Sequence, residues 1–146
     1  MKISSKGEYG IRALFDLAQH YDSRPRRSRE IAEAQSVAED YLNQLLIILR
    51  KAGLINSLRG PQGGHVLAQP PRQITLFDAV FVLEGPLTPV DYANELKGDK
   101  SAPVDEVLNP VWEEVEKETI RILKSTSLED LCERYNSRNS SVMYHI

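Results

Sequence analysis

From Tyr9 to Tyr21 the apolar residues Ile11, Leu14, Phe15, Leu17, Ala18 and Tyr21 recur at helical spacing, and Pro25 among serine and arginine ends the pattern. Ser28 is placed to cap a short second helix through Gln35, with Ile31 and Ala32 facing inward, followed by a turn at Ser36-Val37. A longer third helix is predicted from Ala38 to Ala52, stopped by Gly53. At about 100° per residue this third helix has two faces. Tyr41, Leu42, Leu45, Leu46, Leu49 and Ala52 gather on one; Asp40, Asn43, Gln44, Arg50 and Lys51 gather on the other, where Ile47 interrupts the polar run. Two short extended runs follow, Leu54 to Arg59 and His65 to Ala68, joined by Gly60-Pro61-Gln62-Gly63-Gly64, which predicts a hairpin with a glycine-rich tip.

Beyond the Pro70-Pro71 connector, Thr75 and Asp78 have the spacing of a capping box. They open a helix carrying Leu76, Phe77, Val80, Phe81 and Leu83 that stops at Gly85. Residues 86–103 contain Pro86, Pro89, Gly98 and Pro103 and are read as loop. Val104, Leu108, Val111, Val115 and Ile122 then mark an apolar stripe, interrupted by Glu118, on a long helix that Asn109 and Pro110 are placed to begin. Ser127-Leu128-Glu129-Asp130-Leu131 starts one more short helix, and Asn136 to Ser141 is read as a flexible tail.

Two short helices, a longer amphipathic helix and a glycine-tipped hairpin make a winged helix-turn-helix. The predicted fold is mainly α with a small β wing, extended by a long helix. Its expected organisation is a winged helix-turn-helix over residues 1–72, a connecting helix and loop over 73–103, a dimerisation helix over 104–126, and a short helix with a tail over 127–146. A long helix with an apolar stripe needs a partner, and in so small a protein the simplest is the same helix of a second copy. Val111, Trp112, Val115 and Ile122 are the residues expected in that homodimer contact; packing onto the chain's own domain is the alternative.

Composition narrows the function. The chain has 146 residues, enough for one sizeable core and too few for a large catalytic scaffold. It shows no apolar run of the length a membrane span needs and no apolar signal core behind Met1, so a cytoplasmic protein with no membrane contact is expected. Its single cysteine, Cys132, excludes an internal disulfide and any site built from several cysteines of one chain. The net charge of −3 conceals an asymmetry: residues 1–72 carry 11 Lys and Arg against 7 Asp and Glu, whereas residues 73–146 carry 7 against 14. A basic first half suits phosphates, which the acidic second half would repel.

In a helix-turn-helix the second helix enters the major groove and reads bases from its N-terminal residues, here Asp40, Asn43 and Gln44. The two amides can each pair with an adenine edge, and Asp40 can accept from a cytosine amino group; a solvated helix face is the plain alternative. Arg59 stands at the shoulder of the hairpin, beside Gly60, where the backbone can approach closely. An arginine there can enter a narrow minor groove or simply stand exposed on the wing. Lys2, Ser4, Ser5 and Lys6 suit phosphate contacts that carry little sequence information. The Gly60–Gly64 loop lacks the Gly-Lys-Ser/Thr ending of a nucleotide cradle. His20, His65 and His145 have no metal-ligand spacing, and no nucleophile motif is present, so neither catalysis, a metal nor a cofactor is expected.

Three segments carry a family resemblance: Lys2 to Gly10 (KISSKGEYG), Tyr41-Leu42-Asn43-Gln44-Leu45, and Ser57 to His65 (SLRGPQGGH). Together they resemble the bacterial winged-helix regulators that include the iron-sulphur cluster regulator IscR, the nitric-oxide sensor NsrR and the cysteine-metabolism repressor CymR. The resemblance spans nearly the whole chain. It implies a transcription regulator, acting as a dimer joined by a long C-terminal helix and binding a palindromic operator in double-stranded DNA, with contacts at Asp40, Tyr41, Asn43, Gln44 and Arg59. Cluster-binding members carry three cysteines in the segment matching residues 86–108; this chain has none there. Ala38 replaces a common capping serine, and His65 a frequent wing tyrosine.

The likeness is closer to the CymR branch through Val82 to Val90 (VLEGPLTPV), Ser125 to Leu131 (STSLEDL) and Met143 to Ile146 (MYHI). That likeness implies a repressor of cysteine or sulphur metabolism with cysteine synthase as partner, engaged by Tyr144, His145 and Ile146; an accidental terminal sequence is the alternative. Two other readings remain open at the level of sequence. One is an iron-sulphur or redox-responsive regulator of the same family, with Cys132 as the sensor. The other is a protein-interaction module that modulates a metabolic enzyme.

Overall fold

The computed structural model describes residues 2–89 and 102–144, with side chains described as far as Ser140. Its first helix, α1 (Ser5–Gln19), begins four residues before the periodicity suggested, because Ser4 is the cap and its hydroxyl accepts from the Gly7 N–H at 3.3 Å. Gly7 and Gly10 dilute the apolar signal of the first turns, and both are buried.

The second helix, α2 (Ser28–Gln35), ends where predicted but starts one residue earlier, with a different cap. Arg27 stands at the cap position, its N–H donating to the Glu30 carboxylate at 3.2 Å, and Ser28 lies inside the first turn. Ser36 then takes a left-handed conformation (φ 54°), turning the chain into α3 (Glu39–Lys51). Ala38 caps α3 without a side-chain hydrogen bond, as its methyl must. The apolar face of α3 is buried through Leu42, Leu45, Leu46 and Leu49. Gly53, at φ 81°, leads into β1 (Ile55–Leu58), which pairs antiparallel with β2 (Gly64–Leu67) in the register Ile55 to Leu67 and Leu58 to Gly64.

A short 3₁₀ turn, Pro71–Gln73, precedes α4 (Leu76–Glu84), whose capping box is formed on both sides: Thr75 N–H to Asp78 at 2.9 Å and Asp78 N–H to Thr75 Oγ1 at 3.2 Å. The long helix α5 runs Asp105–Lys124 and contains Pro110 rather than starting at it. Proline there leaves only one carbonyl of the first turn unpaired, on an exposed surface that water can serve. The last helix, α6, runs Leu128–Tyr144 and continues through Asn136–Ser141, the segment read as a tail. Its start is fixed by a second reciprocal box between Ser127 and Asp130 and by Leu128 N–H donating to the Ile74 carbonyl at 2.9 Å. Propagating a helix from such an anchored start costs far less than nucleating one, so the polar residues follow.

The core crosses the proline connector. Leu14, Leu17, Ile31, Leu42 and Leu49 belong to the same apolar cluster as Ile74, Ala79, Leu83 and Leu128. α1 lies close to α4, since a β-carbon on Gly10 would sit 2.5 Å from Leu83 Cδ1 and one on Gly7 would collide with the Glu84 carboxylate. The arrangement is a winged helix-turn-helix, α2 and α3 followed by the β1–β2 wing, set on α1, α4 and α6 with α5 outermost. None of the described helices is long and apolar enough to cross a membrane.

Candidate nucleic-acid interface

Burial of the leucine face of α3 turns its other side outward. Asp40 and Gln44 are exposed, Asn43 is partly exposed, and Ile47 is 43 % exposed among them. An apolar side chain in that position is suited to a thymine methyl. Tyr41 is half-buried, its ring meeting that of Tyr9 edge to face at 6.2 Å, and the Arg12 guanidinium stands 5.1 Å from the Tyr9 centroid. This aromatic pair ties the start of α3 to α1.

Arg59 and Gly60 are exposed at the tip of the wing. The tip is closed by Gly63 N–H donating to the Gly60 carbonyl at 2.9 Å, with Gly60 at φ 103°. Glycine is required at 63 because a β-carbon would collide with the Leu58 carbonyl and lie 2.8 Å from the Arg59 carbonyl carbon. The Arg27 side chain donates to the Pro61 carbonyl, joining tip to helix-turn-helix. Lower on the wing, His65 lies between Ser28 and Ser57. Burial, with Arg50 secondarily, holds its imidazole below the usual histidine range.

Lys2, Ser5 and Lys6 are exposed at the start of α1. Ser4 is engaged within the fold: its hydroxyl donates to Glu84 at 2.6 Å and its N–H to the same oxygen at 2.9 Å.

Sequence reasoning passed over a cluster around the N-terminus of α2. A cleft of about 550 Å³ between this segment and the wing is lined by Arg24, Arg27, Arg29 and Glu30 on one side and Pro61 to Gly63 on the other. Arg24 grips Glu30 through two hydrogen bonds of 2.8 and 2.7 Å. That contact first, and the Arg27 N–H second, bring the Glu30 carboxyl down to about 2. Arg26 turns inward, where Nε and Nη2 reach the buried Asp16 carboxylate at 2.9 and 3.2 Å. The available signal was four arginines within six residues, obscured by the neighbouring proline.

In α5, no residue is buried. Val107, Val111, Val115 and Ile122 are 68 %, 49 %, 44 % and 55 % exposed, and Trp112 is half-buried. Tyr144 ends the described part of α6, but its side chain, His145 and Ile146 lie outside the described residues, as does Val90.

The profile of the Rrf2 family, described as iron-dependent transcriptional regulators, matches residues 3–134. The chain belongs to the Rrf2 family. It is 36 % identical to the HTH-type transcriptional regulator CymR of Bacillus subtilis over 146 residues, the full length of both. The solved structure of CymR, the global cysteine regulator of B. subtilis, superposes with a TM-score of 0.77 at 37 % identity, covering 92 % of this chain and 98 % of that one. That of T. potens IscR gives 0.75 at 44 % identity, covering 92 % and 88 %. This member of the Rrf2 family is thus a DNA-binding transcriptional regulator of winged-helix architecture, in the company of both CymR and IscR.

Within this family the iron-dependent description raises the question of a metal cluster. A cluster held by thiolates needs several cysteines; this Rrf2 chain has Cys132 alone, half-buried on α6. Burial first, then Glu129 and Glu133, push its thiol above the ordinary range, which disfavours the thiolate that ligation or oxidation requires. The donor set of this chain does not fit a cysteine-ligated cluster.

Proposed function

We propose that this Rrf2 regulator is a homodimeric, non-enzymatic repressor that reads a palindromic operator with Asn43, Gln44 and Asp40 in the major groove and Arg59, beside Gly60, in the minor groove. Tyr41 orients the start of the reading helix, and Lys2, Ser5 and Lys6 meet phosphates. The observation that carries this reading is the outward polar face of α3 next to a wing whose arginine is exposed at the tip. The apolar stripe of α5, exposed in the single chain, supports pairing with a second copy. Likeness to a protein described as the global cysteine regulator supports sulphur-related target genes.

Genome-wide capture of bound DNA tests the assignment, with sulphur-assimilation genes expected among the targets. A salt titration on the captured site tests the chemistry: a dimer making about 6–10 phosphate contacts loses roughly 10³- to 10⁵-fold in affinity between about 50 and 200 mM salt. Retention of operator affinity by a Gln44→Ala, Arg59→Ala variant would remove the residue assignment. The same likeness extends to a partner: cysteine synthase engages Tyr144, His145 and Ile146. Equal capture of cysteine synthase by the intact chain and by one lacking residues 144–146 would eliminate that contact.

A further inference from the structure

The imidazole of His65 bridges three separate pieces of the fold. Nε2 lies 2.9 Å from Ser28 Oγ in the first turn of α2, and Nδ1 lies 2.8 Å from Ser57 Oγ, directly across the wing in the β1–β2 register. A neutral imidazole has one N–H and one lone pair, and a serine hydroxyl can give or receive, so either tautomer satisfies both contacts at once. The backbone repeats the link: Arg26 N–H donates to the His65 carbonyl at 3.0 Å, and His65 N–H to the Arg26 carbonyl at 2.7 Å. The preceding residue permits this closeness. Gly64 sits at φ +150°, and a β-carbon there would lie 2.6 Å from the Arg26 oxygen.

A two-stranded hairpin is marginal by itself and can rock about its base. Here the Ser57–His65 pair, one rung below the tip end of the ladder, is held on three sides, by α2, by the Arg26 backbone and by the facing strand. Leu58 pairs with Gly64 as the next rung, so Arg59 leaves the sheet two residues beyond the clamped Ser57. We propose that His65 is the positioning residue that fixes the angle of the wing to the helix-turn-helix and thereby aims Arg59 at DNA. The inference rests on the DNA reading given above. Misplacing a contact by an ångström forfeits most of its value, so loss of the clamp acts through Arg59.

A double-mutant cycle on the captured operator fragment tests this, read by fluorescence anisotropy with circular dichroism as the check on folding. His65→Ala and Arg59→Ala are each expected to weaken binding about tenfold, and the double variant no more than Arg59→Ala alone. Hydroxyl-radical footprints of His65→Ala should lose the minor-groove protection and keep the major-groove contacts of α3. Should His65→Ala unfold, the Ser28→Ala, Ser57→Ala chain, which removes the clamp and leaves the ring, enters the same cycle with the same expectation. Multiplicative losses, near 100-fold in the double variant, or undiminished binding after removal of the clamp would overturn the inference while leaving the DNA reading intact. Failure of the unaltered chain to bind any captured site would overturn both.

Discussion

Replacing Arg26 with methionine keeps most of the side-chain stem and removes the charge, leaving Asp16 as a carboxylate that is 1 % exposed. In the intact protein that carboxylate accepts two hydrogen bonds from Arg26, and His20 Nδ1 lies farther off, 3.7 Å from Asp16 Oδ1. Breaking a buried ion pair from one side costs about 3–5 kcal/mol, because the abandoned charge keeps its desolvation penalty. The Arg26 side chain is itself 15 % exposed, so water can reach the gap and the lower end, about 3 kcal/mol, applies. A domain is stabilised by only about 5–15 kcal/mol, and near 150 residues each kcal/mol moves the midpoint by roughly 2–4 °C. Thermal unfolding followed by circular dichroism at pH 7 should therefore show Arg26→Met melting about 6–12 °C below the parent. The Asp16→Leu, Arg26→Met double variant should recover most of this, since a buried pair exchanged whole for apolar residues is often neutral. A single variant within about 3 °C of the parent would refute the argument. The backbone bonds between Arg26 and His65 survive the substitution, so a deficit cannot be blamed on their loss.

Val111→Asp with Val115→Asp places two charges on the exposed stripe of α5, and sedimentation should show a monomer where the parent is a dimer; an unchanged dimer would place the interface elsewhere. Gly63→Ala forces a methyl group against the Leu58 carbonyl, so the wing must deform, and the melting midpoint and operator affinity should both fall, whereas Gln62→Ala at the exposed neighbouring position should leave the midpoint within about 2 °C. The folded state disfavours protonated His65, so the unfolded chain binds more protons as pH drops below about 6.5. This contribution to stability is present above that pH, declines below it and levels off under the folded-state value; urea midpoints across that window should be flatter for His65→Gln. Glu30 acts separately, its stabilisation being lost between about 4.5 and 2.

Local chemistry was readable from sequence. The leucine face of α3, the glycine-tipped hairpin and the Thr75–Asp78 box each depend on residues within a few positions of one another, and all three occur in the structure. Features made by distant residues were hidden. The start of α1 looked irregular because Gly7 and Gly10 are there for Leu83 and Glu84, more than seventy residues away. Ser28 looked like a cap, but its hydroxyl faces His65, and Ser4 looked free for phosphate, but Glu84 holds it. Arginines 24, 26, 27 and 29 gave no sign in sequence of their separate tasks: the fold sends Arg26 to a buried carboxylate and Arg27 to the wing. Polar residues 136–141 gave no apolar periodicity, and only the anchored first turn of α6 explains why they are helical.

Because Gly7 and Gly10 let α1 lie against α4, the reading head and α4 form one cooperative block. A fragment ending at the proline connector would leave Leu14 and Leu17 without the side chains that cover them, and should be a poor folder rather than a detachable DNA-binding piece. The same bond network has a mechanical side. Glu84 closes α4 and grips Ser4, so displacement of the last turn of α4 pulls directly on the lysine-bearing start of α1. A shift of the end of α4 therefore need not cross a hinge to be felt at the start of α1; it has to move one helix end.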